Sequence, residues 1–358
     1  MGRNARTLED LIERPDEAAG TALDLLFESR PELKDRYDGR SLLRAREDMA
    51  HHVRRLAQSG LPGGEAAFRD YISWLKVLFR GLRLPDDLVE DSLRCAGRAA
   101  AAVLGEEDAR AIRDRADRAS ELYARMDPDA EGYGSGGPPP GTAVHAYVRS
   151  LVDGQRDRAR MVVDAELSRG VSIRSLYLDL FQPAQREVGR LWHVREISVA
   201  QEHFATAATQ YLMSELYPRL IAQSRTNGRV LVAACAQGEL HEVGIRMVAD
   251  FFQAEGWDSR YFGANLPADS LLAEVERLRP DLVALSATLP ENVRWIARSI
   301  EALRSRDPRR PAVLVGGFPF LIAEGLWKEI GADATGSDCE KAVEAGTRLV
   351  TGTPGPKE

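Results

Sequence analysis

The sequence predicts a multidomain chain: an all-α N-terminal domain, a four-helix bundle, and a C-terminal α/β domain built on a parallel sheet. Three observations predict it. From Arg229 onward, short apolar runs alternate with helix-length segments, the pattern of parallel strands with helices on both faces. Between residues 143 and 225, four helical patterns follow one another with short connections, which favours antiparallel packing. In residues 1–127, apolar residues recur at helical spacing.

The N-terminal part is expected to hold about six helices, globin-like in size. Pro15 suits a first helical turn, Ser41 caps a helix through Ala57, and Pro85 starts another. Phe68, Tyr71, Ile72, Leu75, Leu78, Phe79 and Leu82 form one broad apolar face, and the alanines from Ala99 allow close packing. His51, His52, Trp74 and Cys95 are candidates for a pigment pocket, although each is commoner as an ordinary surface or core residue. Adjacent His51 and His52 point about 100° apart on a helix, so only one readily faces a pocket. Residues 128–142, rich in glycine with Pro138-Pro139-Pro140, read as a linker.

In the bundle, 143–225, one helix runs from Val144 to Val152 and the next from Arg156 to Gly170. Ser172 caps the third, which Pro183 is expected to kink, and the fourth runs from Ser198 to about Ala222. In the Rossmann-like domain, 229–353, strands are expected near 230–235, 258–262, 281–286, 311–315 and 332–335. Helices are expected near 242–255, 268–279, 291–305, 322–330 and 338–350.

Ligands of open α/β sheets sit at the carboxyl ends of strands. The loop Gly238-Glu239-Leu240-His241-Glu242-Val243-Gly244 follows the first strand and places His241 there. Glu239 can accept a hydrogen bond from one ring nitrogen and leave the other for a metal. Gly244 lets a bulky group approach the backbone. Ser286 and Thr288 end a second apolar run, and Gly316-Gly317 ends a third. The set resembles the cobalamin-binding domain, with its Asp-x-His-x-x-Gly loop, Ser-x-Leu or Ser-x-Thr segment, and Gly-Gly pair; Glu239 stands where that family has Asp. Trp192, nine residues, then Glu202-His203, with the flanking Val188–Leu191 and Ile197–Gln201, resembles the cap of CarH-type light sensors.

That resemblance implies adenosylcobalamin as cofactor, with His241 as the lower axial ligand of cobalt and Ser286, Thr288, Gly316 and Gly317 along the nucleotide tail. Trp192 would pack on the adenosyl group, Glu202 would hydrogen-bond to it, and His203 would bind cobalt once light has broken the cobalt–carbon bond. A light-dependent change of homo-oligomer and an unidentified downstream protein partner follow. The helical N-terminal part, in place of a DNA-binding one, resembles the photocobilins, which add a bilin such as biliverdin. Two alternatives stay open: a corrinoid protein of methyl transfer, and a cobalamin-dependent antirepressor or scaffold.

Composition bounds the remaining classes. The net charge of −7, with 22 basic and 25 acidic residues in 1–127, leads to an expectation of no direct DNA binding. There is no run of about 18 apolar residues, so no membrane span is expected. Three scattered cysteines and no apolar N-terminal core fit a cytoplasmic protein. No Walker or Gly-x-Gly-x-x-Gly sequence is present, which disfavours a nucleotide enzyme, and no substrate-binding barrel accompanies the candidate site, which disfavours a cobalamin-dependent mutase; the resemblance to light sensors implies a non-enzymatic signalling role.

Overall fold

A computed structural model describes residues 7–61, 63–82, 84–126, 141–306 and 311–352. The chain forms two compact units, Met1–Gly137 and Pro138–Glu358. The linker expected at 128–142 lies, but for its last two residues, outside the described residues.

The first unit is helical: α1 (Leu8–Glu13), α2 (Asp16–Ser29), α3 (Gly39–Gln58), α4 (Gly64–Gly81), α5 (Asp86–Ala101) and α6 (Glu106–Arg125). Pro15 does precede the first turn of α2. Ser41 does not cap α3. Asp38 does, accepting from the backbone of Arg40 and Ser41, while the Ser41 hydroxyl receives the Asp38 N–H at 2.8 Å. Such a reciprocal box is worth ~1 kcal/mol and starts the helix earlier than a lone serine would. The alanine-rich face of α5 packs tightly on α6: a Cβ on Gly97 would lie 2.3 Å from that of Ala116.

The second unit begins with the bundle: α7 (Thr142–Val152), α8 (Arg156–Ser168), a third helix in three parts, and α11 (Val199–Leu220). The third helix comprises α9 (Ile173–Ser175), a π-helical turn over Leu176–Phe181, and α10 (Gln182–His193). Ser172 caps it through the Ser175 N–H. The π turn stands directly before Pro183. A proline ring collides with the carbonyl four residues back and supplies no N–H, and the wider turn, closed by Gln182 N–H to Tyr177 C=O, relieves both. Ser198 and Gln201 form the capping box of α11. Tyr147, Tyr177 and Phe181 are fully buried between the helices.

The remainder is a five-stranded parallel sheet in the order β2-β1-β3-β4-β5. The strands are β1 (Val230–Cys235), β2 (Asp258–Tyr261), β3 (Leu282–Ser286), β4 (Ala312–Gly316) and β5 (Ala334–Thr335). Between and after them lie α12 (Val243–Ala254), α13 (Ala268–Leu278), α14 (Val293–Arg306), α15 (Phe318–Ile322), α16 (Leu326–Glu329) and α17 (Cys339–Thr351). The single helix expected at 322–330 is split, because Gly325 at φ 80° leaves helical space. β1 and, up to its last residue Ser286, β3 are apolar because both their faces are covered. Phe252 and Trp257 are almost wholly buried against them, each worth ~1.5–3 kcal/mol, while Phe251 is buried in the bundle core. The strand order reverses between β1 and β3, and the crevice at such a switch point is where open sheets bind ligands.

Candidate functional site

The switch point is occupied by the loop of Glu239 and His241. Gly238, at φ 81°, makes the turn after β1, and its N–H is held by Asn265 Oδ1 at 2.7 Å. Glu239 folds back beneath the loop and is completely buried. One of its carboxylate oxygens accepts from the backbone N–H of His241 at 3.0 Å and from His241 Nδ1 at 2.5 Å. The other accepts from the N–H groups of Thr288 and Leu289, at 2.7 and 2.9 Å, and from Asn292 Nδ2 at 3.0 Å. The glutamate side chain is thus long enough to close the hydrogen bond expected between Glu239 and His241.

The electrostatics follow from this wiring. Burial opposes ionisation of Glu239, but the donors on His241, Leu289 and Asn292 outweigh it and hold its pKa down to about 2. The hydrogen bond to Glu239 holds the His241 pKa above its ordinary value, with Glu202 and Glu291 adding to the effect through space. In its neutral form, with Nδ1–H given to the carboxylate, His241 keeps Nε2 as an acceptor on a side chain that is 55% exposed. Among the described residues no cluster of three or more His, Cys, Asp or Glu side chains could hold a metal. The loop therefore offers one imidazole, which suits a metal that brings its remaining ligands with it.

The other predicted residues fall into three settings. Ser286 is buried at the end of β3, and its carbonyl accepts from Ala236 N–H at 3.0 Å; Thr288 contributes its backbone to Glu239. Gly316 and Gly244 have open space where a Cβ would stand. Gly317 does not: at φ 109°, its Cβ would lie 1.9 Å from the Ala287 carbonyl oxygen, so that glycine is needed by the fold itself. On the bundle, Trp192 is the last residue but one of α10 and is 47% exposed, unusual for so large an apolar side chain. Glu202 and His203 sit in the first turn of α11, and His203 Nδ1 meets Glu202 at 2.5 Å. Thr206 donates to the second Glu202 oxygen at 3.1 Å. Helix α11 and the loop after β1 meet, for Gln210 of α11 donates to Glu242, the residue after His241, at 2.8 Å.

The sequence reading missed Asn292 and Glu242. Asn292 follows Pro290 in a 3-10 turn and carries no motif. Glu242 receives Gln210 Nε2 and the Tyr261 hydroxyl, each at 2.8 Å, a contact between segments far apart in sequence. In the first unit, His51 is exposed, whereas His52 is buried with Nδ1 2.8 Å from the Tyr71 hydroxyl. Trp74 stacks on Tyr71. Cys95 lines a separate cavity of about 280 Å³, together with Ser29, Arg94, Arg98 and Arg113. That volume is below the ~300–1,000 Å³ typical of small-molecule sites.

Residues 229–345 and residues 143–217 each match a B12 binding domain. The chain is a member of the B12-binding, or corrinoid-protein, superfamily. Among its relatives are HTH-type repressors of the CarA and CarH kind and dimethylamine corrinoid proteins. A corrinoid protein of Desulfitobacterium hafniense (strain Y51) is 24% identical over 56% of this chain and 94% of its own length. The HTH-type transcriptional repressor CarA of Myxococcus xanthus is 33% identical over 45% of this chain, which spans about half (51%) of the repressor's length. The Methanosarcina barkeri monomethylamine corrinoid protein shares the fold over 57% of this chain and 96% of its own, with a TM-score of 0.51 and 19% identity.

One expectation is corrected by these relatives. CarA, and CarH of the same organism at 31% identity, are HTH-type transcriptional repressors, which overturns the expectation of no direct DNA binding. Whole-chain charge was the wrong measure, because contact with phosphates needs only a few basic side chains on one face. Among the described residues no helix is long and apolar enough to cross a membrane.

Proposed function

We propose that the chain is a corrinoid carrier of the methyl-transfer kind, holding a cobalamin between the bundle and the sheet with His241 as its lower axial ligand. The observation that carries this reading is the Glu239–His241 pair at the switch point, with Nδ1 held and, in the neutral ring, Nε2 an acceptor. The open space at Gly244 and Gly316 fits the approach of a large planar group. The near-complete coverage of the Desulfitobacterium corrinoid protein supports the holding of a corrinoid, and the likeness to dimethylamine corrinoid proteins favours the carrier role. Bound, the corrin would supply a cobalt that takes up and gives away an upper group. His241 would hold that metal from below, and Glu239 would keep the imidazole in the tautomer that can do so.

A second reading rests on the cap. Trp192 is exposed, Glu202 holds His203 by Nδ1, and Glu202 acts electrostatically on His241. In this reading the cofactor is adenosylcobalamin and the protein is a light sensor. Trp192 would cover the upper group of the cofactor, Glu202 would accept from its hydroxyls, and His203 would be a second imidazole able to hold the metal. Residues 1–127 would then house a bilin such as biliverdin. The tail-channel roles of Ser286, Thr288, Gly316 and Gly317 belong to both readings.

Absorption spectra separate the two. The protein is incubated with methylcobalamin or adenosylcobalamin, with and without biliverdin, in the dark and after green light. Preference for methylcobalamin and no change specific to bound light product supports the carrier. Preference for adenosylcobalamin, a protein-ligated light product and a sharpened red bilin band support the sensor. No uptake of any cobalamin sinks both.

A further inference from the structure

Glu242 immediately follows His241 and stands at the N-cap of α12. Both of its carboxylate oxygens are engaged, one by Gln210 Nε2 on α11 and the other by the Tyr261 hydroxyl at the end of β2, each at 2.8 Å. The fit is close: a Cβ added at Gly263 would lie 3.1 Å from the oxygen that Tyr261 binds. One helical turn further along α12, Arg246 donates to the Ser214 hydroxyl at 2.6 Å. Another turn on, Asp250 accepts from the Tyr177 hydroxyl at 2.9 Å.

Residues 242, 246 and 250 are spaced by four and share one face of α12, as Gln210 and Ser214 do on α11. They form a polar row along the seam between bundle and sheet. Beside it runs an apolar row, Val243, Met247 and Phe251, packed into the bundle core. The two rows have different roles. Apolar contact is non-directional and holds the elements together. Hydrogen bonds are directional and set the register in which they meet.

We propose that Glu242 is a positioning residue for His241 that ties the lower-ligand loop to helix α11, so that the seating of the bundle and the hold of His241 on a metal form one coupled equilibrium. The proposal rests on the corrinoid reading of His241. Its physical basis is short: His241 lies between Leu240 and Glu242, whose backbones are bonded to each other at 2.9 Å, and Glu242 C=O receives the Arg246 N–H at 3.0 Å. The histidine does not swing without moving Glu242, and Glu242 does not move without releasing Gln210. Linkage then makes the effect reciprocal: what loosens α11 weakens the hold of His241 to the same degree.

Three variants test this: Gln210→Ala, Glu242→Ala and Glu242→Gln. Gln210 bonds the carboxylate of Glu242 and no loop backbone, so its effect on His241 would have to pass through Glu242. Glutamine at 242 still accepts from Tyr261 and donates to the Gln210 carbonyl, and so is the rescue. Hydrogen exchange of the protein without cofactor reads the tie. Amides of both α11 and the 238–242 loop are expected to exchange about 5–20-fold faster in Gln210→Ala and Glu242→Ala, and near the wild-type rate in Glu242→Gln. Electron paramagnetic resonance of bound cob(II)alamin reads the fraction with nitrogen below the cobalt. Gln210→Ala is expected to shift that equilibrium about 5-fold toward the His-off form, within the usual range of coupling between sites.

A Gln210→Ala protein with faster α11 exchange but a wild-type nitrogen signal overturns the proposal, because the seam would then exist without coupling. Glu242→Gln behaving as Glu242→Ala overturns it as well. Wild-type protein that takes up no corrinoid overturns the corrinoid reading instead; the tie is then judged by exchange alone, and unchanged loop amides in Gln210→Ala refute it.

Discussion

Replacing Glu239 by glutamine tests the centre of the site with a change of a single atom type. The buried carboxylate receives five donors, two on one oxygen and three on the other. Glutamine keeps one acceptor and turns the other into a donor. If its oxygen stays toward Thr288, Leu289 and Asn292, its NH2 faces the His241 N–H, donor against donor. That NH2 satisfies His241 Nδ1 only by donating to it, which moves the imidazole proton to Nε2, the atom that must be bare to bind a metal. If the amide flips, three donors are stranded instead. Losing a charge-assisted bond is worth ~1.5–3 kcal/mol, and an unsatisfied buried N–H costs a further ~1–3 kcal/mol, so the fold should lose ~3–5 kcal/mol. Metal affinity should fall about 10–100-fold, as it does when an outer-shell partner is removed. Urea unfolding without cofactor at pH 7 and an absorbance titration with methylcobalamin measure the two effects. An unchanged unfolding midpoint together with a wild-type His-on spectrum would refute the reasoning.

Three further outcomes are expected. The stability difference between wild type and Glu239→Gln should depend on pH: a carboxylate whose folded pKa is about 2 against an ordinary 4.5 contributes fully above 4.5 and loses ~3 kcal/mol as pH falls toward 2. The raised His241 works in the opposite sense, contributing below 6.5 and fading as pH rises through its folded value, so unfolding curves across this range should show the largest difference between about 4.5 and 6.5. Gly317→Ala should destabilise the second unit by more than ~2 kcal/mol, since it combines a left-handed φ with a backbone collision, whereas Gly316→Ala should melt like wild type yet bind cobalamin at least about 10-fold more weakly; equal melting of the two would remove the basis for separating them. In the sensor reading, His203→Ala should bind and photolyse adenosylcobalamin but give a water-ligated product, and light-state absorption bands identical to wild type would exclude His203 as the ligand.

Much of the architecture was legible in the sequence because it is written in local periodicity. The apolar runs ending at Cys235, Ser286 and Gly316 are strands, and the helices between them follow from spacing and caps. Legibility ended where a feature depends on contacts between distant segments. Asn292 matters because β3 brings its turn beneath Glu239, 53 residues away in sequence. Glu242 matters because α11 lies beside it. Ser41 misled because the first residue of a helix is decided by which side chain reaches back, and Asp38 reaches better. Partner class was misjudged from net charge, a quantity averaged over a surface on which recognition is local.

The π turn at Leu176–Phe181 has a geometric consequence for the cap. A π turn accommodates one residue more than the α-helix it interrupts, so it acts as a phase shifter between Ile173–Ser175 and everything after Phe181. Each α-helical residue advances the azimuth by ~100°. Trp192 lies on the far side of that shifter, and Tyr177, which bonds Asp250, lies inside it. Deleting one residue from 176–181 would let the helix anneal to a regular ladder with Trp192 near its present azimuth, whereas annealing it with that residue kept would turn Trp192 by ~100° about the axis. The direction in which the cap tryptophan points is thus set in part by a winding defect three turns away.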